Sequence, residues 1–426
     1  MPLARMHHPL LTQTAPSPVH GWYAPGFEKV AHTFAQQVAL GEEAGAALTI
    51  YRAGQCVVDV WGGMADVATG RPWQQNSRIV LFSVTKSLAA MAFLMLADRG
   101  LLDYDAPVVR YWPGFGKNGK TGISVRTLLN HRAGLAAIDK SIRLEDCLDP
   151  ARAALVVDAL EAQRPLWPPG EKQGYHAITY GLYAAELFLR VAGEPLQDFV
   201  RRELLRPLDS DVWLGTPAEF DPLTATLYPP EVVPRVARMV ASAAFAPETA
   251  EGRIARDLPR KTSLSRRAFQ NPSPGRESVA AYNGIRVRRA ALAWGSATGS
   301  AHGVARMFLP FSQGGAHEHV RYVAPQQLRP LYVRQGWSDS DEVLQKPIGW
   351  SQGFMKEERH LFSPNPESFG HSGMGGSLGW CDPVEQLTLG YVCNRMDWRV
   401  RSPRCVALCR ALYECDALLS CREGGA

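Results

Sequence analysis

The stretch Phe82-Ser83-Val84-Thr85-Lys86-Ser87-Leu88-Ala89-Ala90-Met91-Ala92-Phe93-Leu94-Met95-Leu96-Ala97 decides how this chain reads. Its last ten residues, 88–97, are apolar without a break. A helix apolar all round is a buried helix. Ser83 and Lys86 stand three positions apart, so on a helix their side chains share one face, one turn apart. Ser83 is the only serine followed at that spacing by a lysine. A hydroxyl beside an amine is a nucleophile beside a base, the minimum kit for acyl transfer. About one or two such pairs arise from composition alone in a chain of this length. The pair takes its weight from its place at the polar mouth of a buried helix. The plain alternative is Ser83 as a helix N-cap.

Gly100 follows the apolar run and caps it. Upstream, residues 26–40 read as an amphipathic helix. Two β-rich runs, 46–51 and 56–61, flank Gly54, which predicts a hairpin. Between 110 and 285 the pattern is helices joined by Pro-rich loops, with helical stretches at 124–130 and at 180–191, the latter stopped by Gly193. Residues 215–290 read as an excursion of loops and short helices. Strand signals return at 376–380 and 387–392, across an Asp382-Pro383 turn. A last helix is expected over 403–419. Strands at both ends predict one sheet built from both. The expected fold is α/β (α+β): a mainly antiparallel sheet flanked by helices, plus a helical domain. The division is a loose leader at 1–20, a sheet domain of 21–110 and 286–426, and a helical domain of 111–285 with a Pro/Arg-rich insertion. A site between the two domains would have Ser83 at its floor.

The 426 residues are 46% hydrophobic and 20% charged, an ordinary soluble composition. No apolar run approaches the roughly 18 residues that span a bilayer. Residues 1–20 hold Arg5 but no apolar core of a secretory signal, so none is expected. The eight cysteines form no C-x-x-C pair. They read as free thiols, with a reducing, cytoplasmic location. Residues 253–267 hold six basic side chains against Asp257 and account for the net charge of +5. With no nucleic-acid motif beside it, the segment reads as a solvated insertion. His317-Glu318-His319 lacks a third ligand, so no metal is expected there, and no cofactor elsewhere. Neither a nucleic-acid nor a membrane partner is expected. The oligomeric state is not readable.

Two further segments complete an acyl-transfer site. Tyr175 follows the turn Pro168-Pro169-Gly170 and precedes a helix, so it can point into a cleft. Phe369-Gly370-His371-Ser372-Gly373-Met374-Gly375-Gly376-Ser377 is a Gly-rich strand edge. Glycine lets backbone approach a ligand, and its N–H groups can serve an oxyanion.

With Trp61-Gly62-Gly63, Arg71-Pro72-Trp73, Arg99-Gly100-Leu101-Leu102, Tyr111-Trp112-Pro113 and Leu128-Leu129-Asn130-His131, these segments fall in a family-like order. The chain resembles the serine β-lactamase and penicillin-binding-protein superfamily. It is most similar to the class C-like carboxylesterases, the family VIII esterases. The likeness runs over roughly residues 20–415. It implies Ser83 as the acylated serine, Lys86 as its lysine partner and Tyr175 as the tyrosine of Y-x-N. It places His371-Ser372-Gly373 where the family has K-T-G, and implies an oxyanion hole from the backbone N–H groups of Ser83 and Met374.

Two departures follow. Ala177 stands where Y-x-N has its amide, and His371 stands where K-T-G has a fixed cation. Both point away from β-lactams and peptides and are compatible with an esterase; the expected substrates are carboxylic esters of small or medium acyl chains. A β-lactamase or D-amino-acid peptidase, and a silent scaffold of the same fold, are the alternatives. Lys86 and Tyr175 would act as a coupled pair, either being able to serve as base. Two G-x-S-x-G matches, at Ser351 and Ser377, raise an α/β-hydrolase reading. Neither has the expected strand–helix context followed by Asp and His.

Overall fold

Strand-forming runs from the two ends of the chain pair with each other. The computed structural model describes residues 8–9 and 18–418. Most of the expected leader lies outside the described residues, although residues 19–20 already belong to the sheet. Along the main path of the sheet the strands are β1 His8–Pro9, β2 Val19–Tyr23, β3 Gly45–Arg52 and β4 Gln55–Asp66 from the first end, with the short Arg71–Pro72 paired to β4 beside that path. From the other come β5 Gly336–Ser338, β6 Ile348–Ser351, β7 Phe354–Lys356, β8 Phe369–Ser372, β9 Leu378–Asp382 and β10 Leu387–Cys393. Their order is β1-β2-β4-β3-β10-β9-β8-β7-β6-β5, antiparallel throughout. The seam between the two ends is β3 against β10, with Arg52 opposite Leu387 and Ala46 opposite Cys393. The expected β3–β4 hairpin turns through Ala53 and Gly54, at φ of 48° and 77°. A two-residue turn with both φ positive matches the twist of its strands, and Gly54 adopts it without strain.

Six helices frame the site: α1 Glu28–Ala39, α2 Lys86–Asp98, α3 Thr179–Ala192, α4 Val232–Phe245, α5 Ala301–Met307 and α6 Pro403–Tyr413. One face of the sheet is covered by α1 and α6, whose Phe34 and Leu408 pack with Leu48, Ile50 and Tyr391. The other face carries α5. Gly379 and Gly390 are direct partners across β9 and β10. A Cβ on Gly390 would stand 2.1 Å from the Ala301 carbonyl oxygen, so the missing side chain lets α5 lie on the sheet. With both faces covered, β3 is buried over all but its last residue. That is why it reads as a continuous apolar run rather than an alternating one.

The buried helix is α2, in which every residue from Lys86 to Ala97 is buried. Phe93 meets Phe188 of α3 edge to face, with ring centres 5.7 Å apart. Gly100, at φ 71°, follows its C-cap Arg99. Ser83 lies one turn earlier than the α-helix proper, in a 3-10 turn over Phe82–Thr85. The middle of the chain supplies α3 and the excursion, in which α4 is followed by short helices Ala250–Asp257 and Leu264–Gln270. The basic segment 253–267 is largely sewn down. Arg253 donates to the Gln345 carbonyl, Arg256 to that of Pro247, Arg260 pairs with Asp257, and Arg267 with Asp139.

Candidate active site

Ser83 is presented by a strained entry to α2. Phe82 holds φ at 47°, a conformation that costs a non-glycine residue roughly 1–3 kcal/mol. Its surroundings impose it. The Leu81 N–H donates to the Ala297 carbonyl at 2.8 Å, and the Ala297 N–H donates to Thr85 Oγ1 at 3.2 Å. The Phe82 ring packs on Tyr282, centres 5.1 Å apart. Ser83 thereby lines two adjoining cavities, of about 460 and 430 Å3.

Lys86 is 0% exposed. Its Nζ lies 3.0 Å from Ser83 Oγ and donates to the Trp294 carbonyl at 2.9 Å. Among the described residues no carboxylate forms an ion pair with it. Burial without a counter-charge holds the amine well below the usual lysine range. This favours the neutral form, whose lone pair can accept a proton.

Tyr175 arrives from the loop ahead of α3. Its hydroxyl donates to Ser83 Oγ at 2.8 Å. The ring stacks on Trp350 with centres 5.6 Å apart and planes 9° from parallel. Its backbone N–H donates to Asp341 Oδ1 at 3.0 Å, and that same oxygen accepts the N–H groups of Val343 and Leu344, each at 2.9 Å. Burial pushes the phenol above the usual tyrosine range; the Ser83 hydrogen bond and the Arg401 charge oppose this less strongly. Tyr175 is therefore a neutral O–H donor, whereas Lys86 is the group with a free lone pair.

The third wall is β8. His371 is buried, with Nδ1 2.7 Å from the Ser372 carbonyl and Nε2 sealed without a partner among the described residues. Burial pushes its imidazole well below the usual range, so it is uncharged. A Cβ on Gly373 would lie 2.6 Å from the Leu81 carbonyl oxygen. Only glycine lets this turn press against the segment that carries Ser83. The next backbone N–H, that of Met374, has no protein acceptor among the described residues.

The expectation that this wall lacks a fixed cation is corrected by Arg401, from the loop before α6. It donates to Ser372 Oγ at 2.8 Å and pairs with Glu358. Glu358 also holds Lys346, whose Nζ donates to its two oxygens at 2.8 and 2.6 Å. The charge absent at position 371 thus reaches the wall from an element 30 residues downstream. Ala177 lines the second cavity with Ile178, Leu144 and Phe269, where its methyl extends an apolar wall.

Ser83, Lys86 and Tyr175 are brought together, with His371, Ser372, Gly373 and Met374 along the same cleft. Trp350 lines it as an apolar wall. Phe354 and Trp380 do not: they pack in the core on Phe369 and Phe362. Ser351 is buried in β6 and donates to the Pro330 carbonyl at 3.2 Å, and Ser377 is buried beside Gly373. Neither stands on a strand-to-helix elbow. Tyr180 is buried within α3, and Lys172 pairs with Glu342 at 3.3 Å on the surface. Sequence reasoning missed Asp341, Arg401 and the Trp294 carbonyl. Asp341 sits in Ser338-Asp339-Ser340-Asp341-Glu342, which reads as a solvated polar turn. Only its burial distinguishes it.

The geometry agrees with relatedness. The β-lactamase family model matches residues 30–407, and the chain belongs to that family. It is 32% identical over 383 residues to the esterase/β-lactamase LipL of Mycobacterium tuberculosis, covering 89% of this chain and 83% of that protein. The crystal structure of a family VIII carboxylesterase superposes with a TM-score of 0.78 at 30% identity, over 93% of this chain and 99% of the other. EstA from Arthrobacter nitroguajacolicus gives 0.75 at 27% identity, over 92% and 97%.

Proposed function

We propose that the protein is a serine carboxylesterase acting through an acyl-enzyme on Ser83. The observation that carries this reading is one oxygen between two groups of opposite proton role. Ser83 Oγ has Lys86 Nζ at 3.0 Å and the Tyr175 hydroxyl at 2.8 Å. Neutral Lys86 takes the serine proton as Oγ attacks the ester carbonyl. The oxyanion is held by the backbone N–H groups of Ser83 and Met374, which need no reorganisation as charge develops. Tyr175 gives its proton to the leaving alcohol oxygen, and the Lys86 ammonium restores it. Water then repeats the sequence on the acyl-enzyme, with Lys86 again accepting the proton. No cofactor enters any step.

The two cavities divide the substrate. Tyr175 lines only the first, so the leaving alcohol lies there with His371, Ser372 and Arg401. The second, with Ala177, Ile178 and Phe269, takes a small or medium acyl chain. Relatives named as esterases support the ester reading. A second reading, β-lactam or D-amino-acid peptide turnover at the same serine, is favoured by one observation, the Arg401 cation at Ser372.

The test is intact-mass spectrometry after incubation with an alkyl phosphonate, with mapping of the labelled residue. A single adduct on Ser83 is expected. An adduct on Ser351 or Ser377, or none, would sink the assignment. Comparing kcat/KM for p-nitrophenyl butyrate and a cephalosporin separates the two readings, and the ester is expected to be turned over faster.

A further inference from the structure

The mouth of the Ser83 cleft is edged by apolar side chains that face water. Val232, Phe269 and Met374 line the cavities and are 66%, 39% and 38% exposed. Val232 opens α4, a helix of 14 residues with none fully buried. Along its outer side Val233, Val236 and Val240 are 79%, 49% and 63% exposed, and Phe245 at its end is 89% exposed. Val233, Val236 and Val240 recur at helical spacing, so they form one stripe with Val232 at its edge, while Phe245 lies off it at the helix end. Its inner side carries Arg235, which lines both cavities. Soluble chains seldom leave so many large apolar side chains together in water.

Charge says what covers the stripe. Over residues 231–267 the sequence holds eight basic and four acidic side chains, most of the chain's net charge of +5. Arg238 and Lys261 are exposed within that span, and so are Arg256, which donates to the Pro247 carbonyl, and Arg260, which pairs with Asp257. Two copies of this chain docked through it would bring like charges together. A surface that is apolar beneath and anionic on top would satisfy both features. A helix with an apolar face and arginines on its flank lies in a lipid interface, and each basic side chain near an anionic leaflet adds about 1 kcal/mol.

We infer that α4 and the cleft rim dock on an anionic lipid surface, so that Ser83 faces esters presented by that surface. This is peripheral docking. Among the described residues no helix is long and apolar enough to cross a membrane. It revises the expectation of no membrane partner; docking itself needs no turnover, while the presentation of esters to Ser83 rests on the esterase reading.

The experiment is co-sedimentation of the full chain with vesicles of phosphatidylcholine alone, and of phosphatidylcholine with phosphatidylglycerol. Binding is expected to the anionic vesicles and to weaken with salt. The triple substitution Val233→Ser, Val236→Ser and Val240→Ser, at positions that do not line the cleft, should reduce binding at least tenfold. Its circular dichroism and its rate on a soluble p-nitrophenyl ester should match the wild type. Failure to bind anionic vesicles, or binding indifferent to the triple substitution, overturns the proposal. So does a dimer in sedimentation velocity that the substitution dissolves, because the stripe would then belong to a second copy. Ser83→Ala should bind vesicles like the wild type, which keeps docking and chemistry separately testable.

Discussion

Two buried lysines flank the same cleft and meet opposite surroundings. Lys346 shares the Glu358 carboxylate with Arg401, and its own value is lowered to about 7, chiefly by burial and next by Arg401. Lys86 has a carbonyl and a serine oxygen as partners, with no ion pair to offset its burial. One lysine is half of a structural ion pair that steadies a wall. The other is left without a counter-charge, which is what suits it to the proposed role of base. Burial alone does not create catalysis. Burial without a compensating anion, beside a hydroxyl, does.

Removing the hydroxyl should have the largest effect. Ser83→Ala should lower kcat for p-nitrophenyl butyrate by on the order of 10³–10⁶, as loss of a nucleophile does. Retention of a tenth of the activity would falsify the nucleophile assignment. Taking the base or the proton donor should come next. Lys86→Ala and Tyr175→Phe are each expected to cost on the order of 10²–10⁴ in kcat. The double variant should be scarcely worse than the worse single one, since both act on one proton path. Losses that simply multiply would indicate independent roles.

On the structural side, Glu358→Gln leaves Arg401 and Lys346 facing each other without their shared anion. Breaking a buried pair this way costs about 3–5 kcal/mol, and urea unfolding should show it. An unchanged midpoint would mean that this wall does not depend on the pair.

The lysine side should respond in the reverse sense. Unfolded, Lys86 binds its proton below about pH 10.4. Folded, it does so only below its depressed value. Between these two values the unfolded chain binds more protons, so wild-type stability rises with pH there. Lys86→Met removes that slope. Inactive Lys86→Met should therefore melt higher than the wild type at pH 7, by about 1.4 kcal/mol for each unit of depression that lies above pH 7. The gap should close toward pH 10; a constant gap would show that packing, not charge, sets it. The smallest effect is expected at Ser372→Ala, which removes one hydrogen bond from Arg401. About a tenfold to hundredfold fall in kcat/KM is the range for loss of a hydrogen bond from a charged group. A larger fall would give Ser372 a direct part in the chemistry.

The legible parts of this protein were those governed by local backbone geometry. The one-turn spacing of Ser83 and Lys86, the apolar run that buries α2 and the β3–β4 turn at Gly54 depend on neighbouring residues, and all are present in the fold. Tyr175 was legible as a loop residue ahead of a helix. What tertiary structure decided was the electrostatic character of those groups. The carbonyl that holds Lys86 belongs to Trp294, 208 positions away, and the carboxylate that fixes the Tyr175 backbone is 166 positions away. Arg401 reaches Ser372 across 29. Chain order does not encode such contacts in any short pattern, because they arise when distant elements close over one another. Desolvation, which sets the proton affinity of Lys86 and keeps Tyr175 protonated, is likewise a property of everything packed around a group. The identity of the candidate residues was a matter of sequence; which of them is suited to give a proton and which to take one was decided by what the fold buries beside them.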